Sequence, residues 1–247
     1  MNEISLIEEI SMNAHPSLKT IVYDGWILRF ANGHTNRANS INLTYPGKLP
    51  LEEKISECER IYESQGLPTI YKLTVLSAPR LDSVLEAKGY KVVTPTNIMT
   101  KTLNNYQTLD RQAVITHKIS KEWQECYFDV NHIDDSFIRE TDRQIQGNII
   151  NHAICASIFE DGRPVACGLC VIEREYVGLY NITVHEDYRK KGLGFTICSS
   201  LLNEAKRMGA KKAYLQVVDG NTLAIKLYHK LGFEDCYQYW YRVKDNK

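Results

Sequence analysis

Arg189, Gly192 and Gly194 stand in an Arg-x-x-Gly-x-Gly spacing, with Lys190 and Lys191 inside it. A β-rich run, Tyr176 to Val184, leads in, and an amphipathic run, Leu193 to Met208, leads out. Glycine lets the backbone turn tightly and come close to a ligand. A tight turn feeding a helix points the amides from Lys190 to Phe195 into one concavity. Unpaired N–H groups and the positive end of the helix dipole favour an anion there. The chemistry implied is the cradling of a pyrophosphate. No Gly-Lys-Ser/Thr follows, and the spacing is not G-x-G-x-x-G, so neither a nucleotide P-loop nor a dinucleotide fingerprint is present.

The elements around this loop follow from period and punctuation. The sequence predicts a short helix over 4–14, a strand over 20–30, a turn at 31–34 and a polar strand over 35–43. A helix over 51–65, a strand over 69–75, a helix over 79–88 stopped by Gly89 and an extended run over 91–102 follow. Asn104 to Gln112 is a polar connector and separates two domains, 1–104 and 112–247. The second domain reads as strand 113–119, helix 121–132 capped by Ser120, and a polar helix opened by Asp134 and Asp135. A hairpin then turns at Asp161-Gly162, and the 176–184 strand enters the glycine loop. The alternation predicts a mixed α/β sheet with helices on both faces.

The whole chain narrows the function. It has 247 residues, 43% of them hydrophobic, enough for one large or two small cores. Thirty basic and thirty acidic residues cancel, which argues against bulk nucleic acid as a partner. No apolar run approaches the roughly 18 residues of a membrane span, and Met1-Asn2-Glu3 lacks a basic leader. Seven scattered cysteines do not make a disulfide framework, and the cytoplasm is the expected compartment. Cys167 and Cys170 have zinc-like spacing. They lie in a strand, where their side chains face opposite ways, and no second ligand pair accompanies them. No metal site is expected.

The glycine loop is followed by a strand, Ala213 to Val218, and then by Asn221-x-x-Ala224-x-x-Leu227-Tyr228-x-x-Leu231-Gly232-Phe233. Together these resemble the two signatures of the GNAT acyl-CoA N-acyltransferase superfamily, over about residues 112 to 247. The Pro that often ends the strand before the loop is absent. The resemblance implies acetyl-CoA as donor, held by Arg189, Lys190, Lys191, Gly192, Leu193, Gly194 and Phe195. It implies amide contacts from Ile182, Thr183 and Val184 on a splayed strand, and a contact from Asn221. Tyr228 is implied as the general acid for the leaving thiolate. The reaction implied is direct attack by a primary amine of a small molecule or peptide in a ternary complex. A non-catalytic acyl-CoA sensor is the alternative. The family's strand glutamate has no counterpart in Tyr176 to Asn181. Glu173, Glu175 and His185 are nearby, and the base stays unassigned. Monomer and homodimer are both open.

The chain also carries a repeat. A shift of 143 residues (168 − 25) puts Gly25 on Gly168, and the same shift puts Gly66 on Gly209, Tyr71 on Tyr214 and Gly89-Tyr90 on Gly232-Phe233. The fold expected is thus two tandem GNAT copies. Leu49-Pro50-Leu51 replaces Gly192-Leu193-Gly194 in the first. Pro50 removes an amide donor and Leu49 adds bulk, so the first copy should not hold pyrophosphate. Arg29, Arg37 and Asn39 in the first copy, with Asp134 and Asp135 in the second, are the candidate acceptor contacts. A solvated edge or polar packing between the halves is the competing account of the first three.

Overall fold

The structure is a computed structural model that describes residues 2–77, 79–106, 108–109, 111 and 113–244. Residues 107, 110 and 112 of the expected connector lie outside the described residues. The first half contains α1 (Glu3–Ala14), β1 (Lys19–Tyr23), β2 (Trp26–Phe30), β3 (Ile41–Leu43), α2 (Leu51–Ser64), β4 (Thr69–Thr74), α3 (Pro79–Ala87) and β5 (Lys91–Thr102). The second contains β6 (Val114–Thr116), α4 (Lys121–Val130), α5 (Ser136–Gly147), β7 (His152–Glu160), β8 (Arg163–Glu173) and β9 (Tyr176–Val184). It continues with α6 (Leu193–Arg207), β10 (Lys212–Val218), α7 (Thr222–Lys230) and β11 (Glu234–Lys244).

All the strands join one mixed sheet, in the order β1-β2-β3-β4-β11-β5-β10-β9-β8-β7-β6. The order contains an exchange. β4 of the first half pairs with β11 of the second, and β10 of the second pairs with β5 of the first. β5 and β11 also pair with each other. Each half lends its last strand to the other, so the sheet is continuous across the boundary.

One face of the sheet carries α2 and α3 over a core of Trp26, Leu28, Tyr62, Tyr71 and Leu73. The same face carries α6 and α7 over Ile197, Leu201, Leu215, Tyr228 and Phe233. The opposite face, here the front, carries α1 and α4 over Ile7, Ile10, Trp123, Tyr180, Tyr214, Tyr239 and Tyr241. Cys167 packs in the front core and Cys170 in the rear one, as strand alternation requires. Among the described residues no group of three or more His, Cys, Asp and Glu could hold a metal ion. No described helix is long and apolar enough to cross a membrane.

Three local expectations are corrected. The run 20–30 is a hairpin, because Asp24 (φ 41°) and Gly25 (φ 84°) take left-handed conformations and turn the chain. The run 35–43 is not one strand. Residues 36–38 form a 3-10 turn and only Ile41–Leu43 pair. Asn39 explains this: its Oδ1 accepts from the amides of Ala31 and Gly33, and its Nδ2 donates to the carbonyls of His34 and Thr35. One side chain thus does the pairing that a neighbouring strand would do.

The third correction concerns the repeat. The 143 shift carries α2, β4, α3 and β5 onto α6, β10, α7 and β11. It fails at the hairpins, where the Asp24-Gly25 turn corresponds to Asp161-Gly162, a shift of 137 (161 − 24). It also puts Tyr71 on Tyr214, yet Tyr71 packs in the rear core and Tyr214 in the front one. The helices keep the repeat; β10 is turned by one residue relative to β4, which brings Tyr214 and Gln216 to the front.

Candidate functional site

β9 and β10 run parallel and pair from Tyr176 to Leu179, and pairing stops at Leu179 opposite Leu215. Just beyond, Asn181 takes φ 52°, and the β8–β9 register slips between Cys167 and Leu169. A bulge of this kind bends a strand out of its ladder. The two central strands therefore part, and Ile182, Thr183 and Val184 lie on the parted section. Thr183 Oγ1 donates to Asn131 Oδ1 at 3.0 Å, which ties this section to the end of α4.

The glycine loop follows directly. Lys190 has φ 61° and Gly192 φ 81°, and α6 begins at Leu193 with no side chain capping it. Among the described residues, none of the amides from Lys190 to Phe195 meets a side-chain acceptor. A Cβ on Gly194 would stand 3.2 Å from Leu227 Cδ2 and 3.7 Å from Val184 Cγ2, so the loop is seated against α7 and the end of β9. Arg189 Nε donates to the Val184 carbonyl at 3.3 Å, and Lys191 Nζ lies 4.6 Å from the centre of the Tyr188 ring. The three cations are exposed, where a single ion pair is worth about 1 kcal/mol or less. Charge-assisted bonds from fixed amides are worth about 1.5–3 kcal/mol each. The amides, not the lysines, define the cradle. Its donors and its place at the mouth of the splay fit the pyrophosphate arm of an acyl-CoA.

On the far side of the splay stands α7. Asn221 caps it, Oδ1 accepting from the Ala224 amide at 3.2 Å, which leaves its Nδ2 free to donate. Tyr228 is buried, its ring edge-on to Phe233 at 6.1 Å. Burial raises its phenol above the ordinary tyrosine value, so it stays protonated at neutral pH. Its hydroxyl has no partner among the described residues, yet it is absent from the polar atoms sealed off from solvent. The phenol therefore reaches open space.

The expected acceptor residues separate into three fates. Asp135 caps α5, accepting from Phe137 and Ile138, and Asp134 is 94% exposed. Asn39 is consumed by its own loop. Arg29 is 3% exposed and donates to the carbonyls of Met12, His15 and Arg37. Burial brings it down to about 10. It holds α1 to the 3-10 turn. It also lines a cavity of about 490 Å³ between the halves, together with Asn13, Asn151 and Glu173. Arg37 alone of the set has a guanidinium not committed to the scaffold. The base candidates are also engaged: Glu173 accepts from Asn13 and Asn151, Glu175 pairs with Lys211, and His185 Nδ1 accepts from Asp187 of its own loop.

A polar group on the front face was missed by the sequence reading. Tyr180 directly follows the last β9 residue paired with β10, and its hydroxyl lies 2.7 Å from that of Tyr214. Tyr239 donates to Gln216 Oε1 at 2.9 Å. Lys72 Nζ lies 2.6 Å from Glu8 and 4.1 Å from the centre of the Tyr239 ring. Gly178 makes room for Tyr214, since a Cβ there would fall 2.5 Å from its ring. Burial pushes Tyr180 up to about 12. Burial would raise Tyr239 too, but Arg37 and Lys72 outweigh it and bring that phenol below its ordinary value. The period-2 tyrosines of Tyr237-Gln-Tyr239-Trp-Tyr241 were the available signal.

Comparison with known proteins bears on the family and the fold. Residues 1–242 match the family model described as "Probable histone acetyltransferase Rv0428c C-terminal". The chain is 28% identical to the uncharacterized N-acetyltransferase YobR of Bacillus subtilis, over 99% of this chain and 100% of that one. A 77-residue stretch is 32% identical to the ribosomal protein bS18-alanine N-acetyltransferase of Escherichia coli K12, covering 31% of this chain and 52% of the relative. A solved GCN5-related N-acetyltransferase from Kribbella flavida superposes with a TM-score of 0.74 at 16% identity, over 100% and 97% of the two chains. A tandem GNAT protein from the clavulanic acid biosynthesis pathway gives 0.67 at 11% identity, over 96% and 87%. At these identities the two solved structures speak for the fold.

Proposed function

The chain belongs to the Rv0428c C-terminal acetyltransferase family and has the tandem GNAT fold, and from that premise we propose that it moves an acetyl group from acetyl-CoA to a primary amine. The observation that carries the reading is the uncapped start of α6 beside the parted strands β9 and β10. The second half is the catalytic domain in this reading, and the first half walls the acceptor side.

When bound, acetyl-CoA would supply a thioester carbonyl open to attack by an amine. The residues that would hold its pyrophosphate are Arg189 to Phe195, chiefly through backbone amides. Ile182, Thr183 and Val184, past the end of the ladder, would offer strand amides to its arm and to the oxygen on which charge grows. Asn221 Nδ2 would add a bond from the start of α7. Tyr228 would donate its proton to the departing sulfur and regain one from solvent, so that it ends the cycle as it began. Its raised value keeps it protonated until the thiolate forms. An amine near pKa 10.4 must lose a proton before it attacks. The front-face polar group is where that amine would wait.

The test is a calorimetric titration of the whole chain with acetyl-CoA, beside Gly192→Asp. One site per chain that the substitution removes, followed by turnover with amines, supports the reading. Binding without turnover on a broad amine panel would favour an acyl-CoA sensor. An absence of binding would sink both.

A further inference from the structure

Three cations meet on the front face where the halves join, and two of them are satisfied by the protein. Lys72 has Glu8 at 2.6 Å. Arg29 has three carbonyls. Arg37 has no carboxylate: among the described residues it forms no ion pair, and its Nε is sealed from solvent without a partner. Its guanidinium is enclosed deep within the protein, near Tyr180, Tyr239 and Tyr241, with the Tyr239 hydroxyl in reach. Yet the residue keeps accessible surface. Only its Nε is among the sealed atoms, so the outer nitrogens of the fork meet solvent.

Burying a charge without a partner is costly, and proteins pair such groups or give them up. The neighbourhood does not dilute the charge either. His15, close by, is held well below its ordinary value by burial and by Arg37 and Arg29, so it stays neutral and offers no anion. Asp142 lies with His34, 3.1 Å away. The segment that carries Arg37 is fixed by Asn39 and by Arg29, which binds the Arg37 carbonyl at 2.8 Å. A rigid mount for a fork of donors that has phenols but no carboxylate beside it suits a planar oxyanion. Tyr180, beside this fork, sits at the first unpaired position of the splay.

We propose that the acceptor is a small amine that also carries an oxyanion, a carboxylate in the simplest case, and that Arg37 receives this oxyanion on the front face of the splay. The inference rests on the acetyltransferase reading and narrows its acceptor. Arg37 holds the acid end, and Tyr180 and Tyr239 flank the path along which the amine reaches the parted strands. A charge borne on a protein surface would have to reach far inward to meet this guanidinium, which favours a free small molecule.

The whole chain, with acetyl-CoA, is offered glycine, β-alanine, γ-aminobutyrate and δ-aminovalerate, each beside its carboxamide, and a set of lysine peptides. The expected result is acetylation of at least one acid with kcat/KM about tenfold or more above its amide. Arg37→Met should raise KM for that acid about 10-fold or more with little change in kcat and none in acetyl-CoA affinity. Arg37→Lys, which keeps the charge but not the fork, should recover part of the loss. Melting gives a readout that needs no turnover. Loss of Arg37, which has phenols but no carboxylate or carbonyl to strand, should leave the midpoint of Arg37→Met within about 2 °C, whereas loss of a structural arginine lowers it further. Amides acetylated as well as acids, turnover confined to peptides, or a lowered midpoint with KM unchanged would each overturn the inference while leaving the enzyme intact. Failure to bind acetyl-CoA would instead remove the reading beneath it.

Discussion

The two halves build the same helix start and fill it differently. In the second half, α6 begins after Gly192 with its amides unoccupied by the protein. In the first half, α2 begins after Pro50, and the amides of Lys48 and Leu49 donate to the carboxylate of Asp24, at 2.8–3.0 Å. Lys54 adds a contact to the same carboxylate at 3.2 Å while lying 4.0 Å from the centre of the Trp26 ring. The loop that leads into the helix has thus been closed in the first half with the chain's own acid, while α2 itself has no side-chain cap. The two bonded amides, first, then burial in opposition, leave Asp24 below the ordinary carboxylate value. The lesson is that a degenerate copy keeps its electrostatics after it loses its ligand, because uncapped amides still need a partner.

The comparison breaks most sharply at Gly192. Asp in its place adds a side chain at φ 81° and a charge of the wrong sign at the cradle, reproducing in the second half the plug of the first. Acetyl-CoA affinity should fall at least about 100-fold, or about 2.7 kcal/mol, by calorimetry; a loss below fivefold would mean that the amides are not the site. Next is Tyr228→Phe, which should cut kcat about 100-fold and leave acetyl-CoA affinity within about twofold. The corresponding residue in the first half, Leu85, carries no proton, so no compensation can come from there. Arg29→Met should lower stability by about 2–4 kcal/mol in chemical denaturation, since it strands buried carbonyls. The much smaller change expected for Arg37→Met would separate scaffold from site.

The smallest effect belongs to Asp24→Asn. It should lower the melting point modestly at neutral pH and create no second acetyl-CoA site, because Pro50 still lacks an amide. The pH dependence has a definite sign. A carboxyl with a depressed folded value stabilises fully above its unfolded value, and that contribution disappears as pH falls through the folded one. The gap between wild type and Asp24→Asn should therefore be widest above about pH 5 and close below about pH 3. A gap that widens in acid would contradict the plug.

How legible was this in the residues? The glycine loop and the helices were plain, since both rest on local spacing. Helix apolar stripes such as Ile55, Cys58 and Tyr62 need no partner to be recognised. The hairpin at Asp24-Gly25 was hidden because apolar residues flank it on both sides. Arg37 and Asn39 were picked out for their polarity, but only their hydrogen bonds show that one builds the mount and the other is mounted. Asp135 reads both as opening its helix and as an acceptor contact, and its hydrogen bonds leave it the cap, an ordinary helix-start role. The strand exchange was beyond reach, since it depends on which strands meet across more than a hundred residues, and the Tyr180–Tyr214–Gln216–Tyr239 group had only the alternation of its tyrosines to announce it.

That exchange has a consequence for synthesis. β5 has no partner in its own half; both of its neighbours, β10 and β11, come later in the chain. At ordinary ribosomal speed the 110 residues between the end of β5 and the start of β10 (212 − 102) take roughly 5–20 s to emerge. For that interval β5 is an open edge, the kind of strand that recruits other nascent chains. Its sequence is suited to the delay. Lys91 and Lys101 charge its ends, Pro95 withholds a donor, and Thr94 at φ 50° kinks it out of line. The same residues that weaken β5 as a template for strangers leave it able to wait for the two strands that complete it.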